Sequence, residues 1–226
     1  MNDADTQGDA EAAEARESAP SDQGGSLSGS AEAERYNTLG IAEATQNMGL
    51  QAIASFTKAI ELDPDNAGYY YNRGIVHTND GAHGLALQDF TRALELRGGE
   101  DADILNNRGN VHAMMGDWDA ALADLTRCID LNPNQPEPYN NRAAVLAQRG
   151  DYLAATLDFG RAIGLKPQYA EAHFNLARVN ARLNKCDLAS AHLKEAIGLQ
   201  PAYKQVARAV GDFEACRGQP GFTIDI

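Results

Sequence analysis

The sequence predicts an all-α fold, five helical hairpins stacked into a solenoid and closed by a C-terminal helix. Three observations predict it. A short apolar string recurs as TKAIELDP (57–64), TRALELRG (91–98), TRCIDLNP (126–133), GRAIGLKP (160–167) and KEAIGLQP (194–201), at offsets of 34, 35, 34 and 34 residues. Small residues recur in the same phase. Hydrophobic residues make up 43 % of the 226-residue chain but aromatics only 7 %, a balance that suits thin helical layers better than a β-sandwich.

Residues 1–32 stand apart. They hold eight acids against the single Arg16, with no aromatic residue and hardly an aliphatic one. Such a stretch cannot bury enough apolar surface to offset its chain entropy, so the expectation is a disordered acidic tail. It reads as a solubilising extension, or as a regulatory or partner-binding arm.

The repeats run 33–66, 67–100, 102–135, 136–169 and 170–203, with one additional residue in the RGGEDAD loop (97–103) accounting for the single 35. Counted from the first residue of each repeat, position 8 is Gly40, Gly74, Gly109, Ala143 and Ala177. Position 20 is always Ala (52, 86, 121, 155 and 189), and position 27 is Ala59, Ala93, Cys128, Ala162 and Ala196. Position 24 is large and apolar: Phe56, Phe90, Leu125, Phe159, Leu193. Small residues at 8, 20 and 27 let two helices approach closely while the position-24 side chain fills the space beside them. Gly81, Gly116 and Gly150 are placed to end the first helix of their hairpins in left-handed geometry, with Asn47 and Asn184 at the same point elsewhere. Asp117 and Asp151 follow as candidate N-caps, and Pro64, Pro133, Pro167 and Pro201 close the second helices.

These residues resemble the tetratricopeptide repeat, a helix–turn–helix unit of 34 residues. The likeness covers about three quarters of the chain and implies a right-handed α-solenoid. After the fifth repeat, residues 204–216 read as a capping helix, with Val206, Val210 and Phe213 at helical spacing to cover the last hairpin and Lys204, Gln205 and Arg208 in solvent. Residues 217–226 form a C-terminal tail whose alternating Phe222, Ile224 and Ile226 are suited to docking in a groove of the same molecule or of a neighbour; a frayed end is the plainer expectation.

Position 7, usually aliphatic in the family, reads Leu39, Arg73, Arg108, Arg142, Leu176, and position 23 reads Ser55, Asp89, Asp124, Asp158, His192. Arg and Asp come and go together. Three interhelical Arg–Asp pairs are expected, because a half-buried guanidinium needs a carboxylate and its planar fork takes two parallel hydrogen bonds. Their role reads as structural.

Several functions are disfavoured. A net charge of −13 and the lack of a basic cluster argue against nucleic acid and anionic membrane surfaces. No apolar run has the length of a membrane span, and there is no basic-then-apolar leader at the N-terminus. Cys128, Cys186 and Cys216 are scattered and odd in number, which argues against a disulfide framework and for a reducing, cytoplasmic setting; a chain stripped of a presequence for an organelle or for export would carry the same pattern. His77 and His112 share position 11, an aromatic slot in the family, and Cys186 and His192 lack a second ligand pair, so neither a metal nor any other cofactor is expected. No phosphate loop, nucleophile elbow or HExxH stands in the sequence, and no catalytic residue is expected.

The resemblance implies a protein-binding scaffold whose first helices line a concave groove. Carried over position by position, the groove residues are Asn37 and Thr38, then Tyr71, Asn72 and Ile75, then Asn106, Asn107 and Asn110, then Asn140 and Asn141, and last Phe174, Asn175, Arg178 and Arg182. An asparagine ladder both donates and accepts, so it can hold an extended peptide backbone without reading its sequence. Tyr71 and Phe174 offer apolar anchors towards the two ends. Asn at position 6 is also common in the family for structural reasons. A carboxylate clamp of the kind known in the family wants Lys at position 2, where this chain has Glu34, Gly68, Asp103, Glu137 and Glu171. An extended, neutral or basic partner segment is therefore expected, with Arg178 and Arg182 the exception to a negative rim. Self-association through the C-terminal tail is the alternative.

Overall fold

The computed structural model describes residues 29–222 and residue 224. Among the described residues eleven α-helices run in order: α1 (Gly29–Thr45), α2 (Gly49–Leu62), α3 (Ala67–Asn79), α4 (His83–Leu96), α5 (Ala102–Met114), α6 (Trp118–Leu131), α7 (Pro136–Arg149), α8 (Tyr152–Leu165), α9 (Ala170–Arg182), α10 (Cys186–Leu199) and α11 (Tyr203–Ala209). A 3-10 helix (Gly211–Cys216) follows, and no strand occurs among the described residues. The acidic tail assigned to 1–32 lies outside the described residues up to 28; residues 29–32, assigned to it, are already helical.

The ten long helices pair as α1/α2, α3/α4, α5/α6, α7/α8 and α9/α10, and each second helix also packs on the first helix of the next hairpin. Successive first helices touch one another, from α1 to α3 through to α9, which puts them on the inner side of the stack.

The small-residue code explains the close pairing. The alanines at position 20 and all five residues at position 27 are 0 % exposed, and the position-24 side chains are at most 1 % exposed. A β-carbon added at Gly40 would stand 2.8 Å from the ring of Phe56, one at Gly74 2.9 Å from Phe90, and one at Gly109 2.9 Å from Leu125. The large residue of each hairpin thus occupies the space that the glycine vacates.

Helix ends follow local chemistry. Gly81, Gly116 and Gly150 have φ of 74°, 78° and 89°, and Asn47 and Asn184 take up the same left-handed turn at 58° and 54°. The residues before the four closing prolines, Asp63, Asn132, Lys166 and Gln200, all leave helical geometry, with φ from −136° to −145° and ψ from 85° to 100°, because proline disfavours the helical region in its predecessor. Where Gly98 replaces that proline, Arg97 stays near helical geometry and Gly98 and Gly99 turn the chain at positive φ. Asp117 caps α6 through the Ala120 amide at 3.4 Å, but Asp151, expected to do the same for α8, makes no side-chain cap. Asn66 and Asp101 cap α3 and α5 instead.

The C-terminal cap differs from the single helix expected over 204–216. Val210 is extended, which ends α11 after seven residues and turns the chain into the 3-10 helix. The break rotates the buried face. Ala207, Phe213 and Cys216 are 0 % exposed, whereas Val206 is 41 % exposed. Phe222 lies buried with its ring 6.0 Å from that of Phe213, and Ile224 packs on the same cluster. Those two tail residues are therefore neither frayed nor in the groove: they cover the chain's own cap.

Cys186, at the start of α10, and Cys216, at the end of the 3-10 helix, form a disulfide with Cα atoms 5.3 Å apart. This overturns the expectation of three thiols. The odd count misled because Cys128 is a core residue at position 27, leaving a pair that the cap brings together across 30 residues. It also removes the ground for expecting a reducing compartment, since disulfides persist in oxidising ones. No helix among the described residues is long and apolar enough to cross a membrane.

Candidate functional site

The three central hairpins each carry the expected ion pair, on the buried side of the groove-lining helices. Arg73 reaches both oxygens of Asp89 at 2.9 and 2.7 Å, Arg108 those of Asp124 at 2.7 and 2.8 Å, and Arg142 those of Asp158 at 2.7 and 2.9 Å. The third nitrogen of each guanidinium donates to a threonine of the preceding hairpin, Thr57, Thr91 or Thr126, at 2.9, 3.4 and 3.2 Å. Each arginine thus ties three helices together. That threonine was visible in the sequence as the residue opening TKAI, TRAL and TRCI, and it is replaced by Gly160 just before the hairpin whose position 7 is Leu176.

The same register organises the groove. Position-6 amides donate to the position-5 side chain of the hairpin before: Asn72 to Asn37 at 2.9 Å, Asn107 to the Tyr71 hydroxyl at 3.0 Å, and Asn141 to Asn106 at 2.9 Å. Asn107 donates as well to the Asp103 carbonyl at 3.0 Å. The ladder is therefore cross-braced, with part of its donor capacity spent within the protein. Tyr71 is half-buried and tilted against Phe90 at 5.9 Å; burial, then the charge of Asp103, raises its pKa. The side-chain amides of Asn110 and Asn175 bond no described residue.

Three of the expected groove residues are not available: the first, Asn37, is buried, with its amide on Glu34 and its oxygen taken by Asn72. Asn140 is 1 % exposed and donates to Glu171 at 3.2 Å, with its own oxygen unpartnered. Position 5 is recessed between neighbouring first helices, so its side chain meets the next hairpin before it meets solvent. Phe174 is 4 % exposed, stacked on Tyr203 at 4.6 Å and tilted against Phe213 at 6.1 Å. The cap covers it, so it anchors the end of the stack instead of a ligand.

Arg178 and Arg182 converge on a carboxylate of the cap. Asp212 accepts from Arg178 Nε at 2.5 Å and from Arg182 Nε at 2.8 Å, and Arg182 also donates to the Tyr152 hydroxyl at 3.2 Å. Burial alone would push the Asp212 carboxyl up; the hydrogen bonds and charges of Arg178, then Arg182, hold it below its ordinary value. Beside them opens a cavity of about 400 Å³ between α7, α8 and α9, lined by Tyr152, Asn175, Arg178 and Arg182 among others. Neither Asp212 nor Tyr152 was among the expected groove residues, because Asp212 reaches the groove only through the break at Val210.

The rim acids are partly engaged. Glu34 accepts from Asn37 and from the Tyr69 hydroxyl, Glu137 pairs with Lys166 at 3.5 Å, and Glu171 holds Asn140. Among the described residues no three His, Cys, Asp or Glu side chains gather to hold a metal ion.

Comparison with known proteins agrees with the repeat geometry. Tetratricopeptide repeat families match residues 109–180 and 170–203, and a TPR repeat family matches 51–81. Human serine/threonine-protein phosphatase 5 is 49 % identical over 45 residues, which is 20 % of this chain and 9 % of that one. Photosystem I assembly protein Ycf3 of Cuscuta gronovii is 35 % identical over 71 residues, 30 % of this chain and 42 % of that one. The matches thus span less than half the length of these relatives. Among solved structures, YrrB, described as a TPR protein with an unusual peptide-binding site, is 27 % identical with a TM-score of 0.62, covering 79 % of this chain and 92 % of that one. Phase-locked small residues, stacked hairpins and these matches together make this chain a member of the tetratricopeptide repeat family.

Proposed function

We propose that the protein is a non-catalytic adaptor that holds an extended segment of a partner protein along its first helices. Members of this family mediate protein–protein interactions. The observation that carries the reading here is the braced amide row. Asn72, Asn107 and Asn141 are each held by a cross-hairpin bond at about one repeat's spacing, so they meet a peptide backbone already ordered. A similar fold with a peptide-binding site, in YrrB, supports the same use. Tyr71, Asn106 and Asn110 border the row. The acids Asp103, Glu137 and Glu171 favour a segment of neutral or basic body.

The test is capture of binding proteins by the wild-type chain and by Asn107→Ala/Asn141→Ala, compared by quantitative mass spectrometry. The double variant is expected to lose specific captures while keeping its helicity. Equal capture by both sinks the proposal.

A further inference from the structure

The groove changes character at its C-terminal end, and the change is built in. Arg178 and Arg182 stand one helical turn apart on α9, and both rest on one buried carboxylate: the Asp212 side chain is 6 % exposed while theirs are 38 % and 49 % exposed. Two guanidiniums on one carboxylate leave one positive charge in excess, in a chain whose net charge is −13. Asp212 binds through the Nε edge of Arg178, whose guanidinium lies over the Phe174 ring at 6.0 Å and whose terminal nitrogens have no hydrogen-bond partner among the described residues. Tyr152 holds the guanidinium of Arg182 in place, and the free amide of Asn175 lies on the same wall. Ala144 and Val179 supply an apolar floor.

Such a site is ordered before any ligand arrives. The entropy of fixing two long side chains has been met within the fold, by Asp212 and by the Cys186–Cys216 bond that holds the cap carrying it. An arginine fork so held is suited to a planar carboxylate, and the apolar floor suits the methylene stem that carries one.

We propose that this pocket reads an acidic side chain, Asp or Glu, in the partner segment. The inference rests on the groove-binding function above and adds polarity to it: a neutral or basic body along the amide row, with a carboxylate in the pocket between α7, α8 and α9. The segment then has one direction and one register in the groove.

The test is panning of a phage-displayed library of random peptides against the full oxidised chain, followed by synthesis of the most enriched sequences. Enriched peptides should share an acidic residue, and its replacement by the matching amide should weaken binding to the wild-type chain at least tenfold. Arg178→Gln/Arg182→Gln should lose the acidic preference. The amide replacement is made on the peptide, so it stays decisive if that variant fails to fold. Amidating the peptide C-terminus should leave affinity unchanged; loss on amidation instead would assign the pocket to a terminal carboxylate and overturn the side-chain proposal. Enrichment without acidic preference, but sensitive to Asn107→Ala/Asn141→Ala, overturns the pocket proposal and leaves the groove function standing. Absence of any enrichment removes both.

Discussion

Arg108 on α5 grips both oxygens of Asp124 on α6 while its remaining nitrogen holds Thr91 of the hairpin before. Because Asp124 is 7 % exposed, removing the arginine strands a buried carboxylate. Arg108→Leu should lower the unfolding free energy by about 2–4 kcal/mol, somewhat below the value for a fully dry pair because the guanidinium keeps some exposure. The first hairpin indicates the remedy. It carries Leu39 and Ser55 at these positions, so Arg108→Leu/Asp124→Ser should recover most of the loss in urea denaturation. A single variant as stable as the wild type would show that the pair holds nothing together.

Gly74 and Phe90 are a second such pairing, set by space instead of charge. The fourth and fifth hairpins place Ala143 and Ala177 at the same position opposite Phe159 and Leu193, so one methyl group is within what the backbone can absorb by a small shift. Gly74→Ala is therefore expected near neutrality, because alanine's better helix propensity offsets the crowding. Gly74→Val should cost about 1–3 kcal/mol, since its branched side chain meets a ring that has nowhere to go. Equal stability of the two variants by thermal melting would contradict the close-approach account.

What could be read from the chain and what could not divide along the repeat register. The Gly74–Phe90 and Arg108–Asp124 relationships lie within one hairpin, where a 34-residue spacing fixes who faces whom. The bonds from Asn141 to Asn106 and from Arg142 to Thr126 cross between hairpins. Their residues were visible, but their pairing depends on how successive first helices nest. Phe174, Asp212 and the cysteine pair were opaque for another reason. The cap follows no repeat, and one extended residue, Val210, sends the chain along a path that periodicity does not record. Phe174 was accordingly assigned to a ligand when the cap needed it.

The cysteines make a separate prediction. Under non-reducing conditions the chain should show one thiol, Cys128, and a disulfide-linked peptide joining Cys186 to Cys216 by mass spectrometry. The Cys128 thiol is buried, which pushes its pKa up to about 11, so it should resist alkylation until the chain is unfolded. Reduction should destabilise the folded chain by about 3–4 kcal/mol through the loop of some 30 residues that it opens. The α10–cap region should be the first to gain hydrogen exchange. Two reactive thiols in the native chain, or three after unfolding without reductant, would exclude the bond.

His192 stands where the aspartate of an Arg–Asp pair stands in the central hairpins, opposite Leu176 in the arginine's place, and its bond to His173 makes this end of the stack sensitive to pH. The Pro167 carbonyl can only accept, so His173 Nε2 carries the proton there at 3.0 Å; His173 Nδ1 is then the acceptor for Nδ1–H of His192 at 3.2 Å. This arrangement uses the lone pair of His173 Nδ1. Burial, then the neighbouring His173, lowers the His192 pKa, with Glu195 opposing. His77 is lowered too, first by burial, against the pull of Asp89. For a base whose folded pKa lies below its unfolded value near 6.5, the unfolded chain takes up the proton first as pH falls. Stability is therefore full above about pH 6.5, declines as pH falls towards the folded pKa, and levels off below it. His192→Ser, which installs the residue found at this position in the first hairpin, should flatten the decline in urea-unfolding free energy between about pH 7.5 and 5.5. An unchanged slope would place the acid sensitivity elsewhere in the molecule.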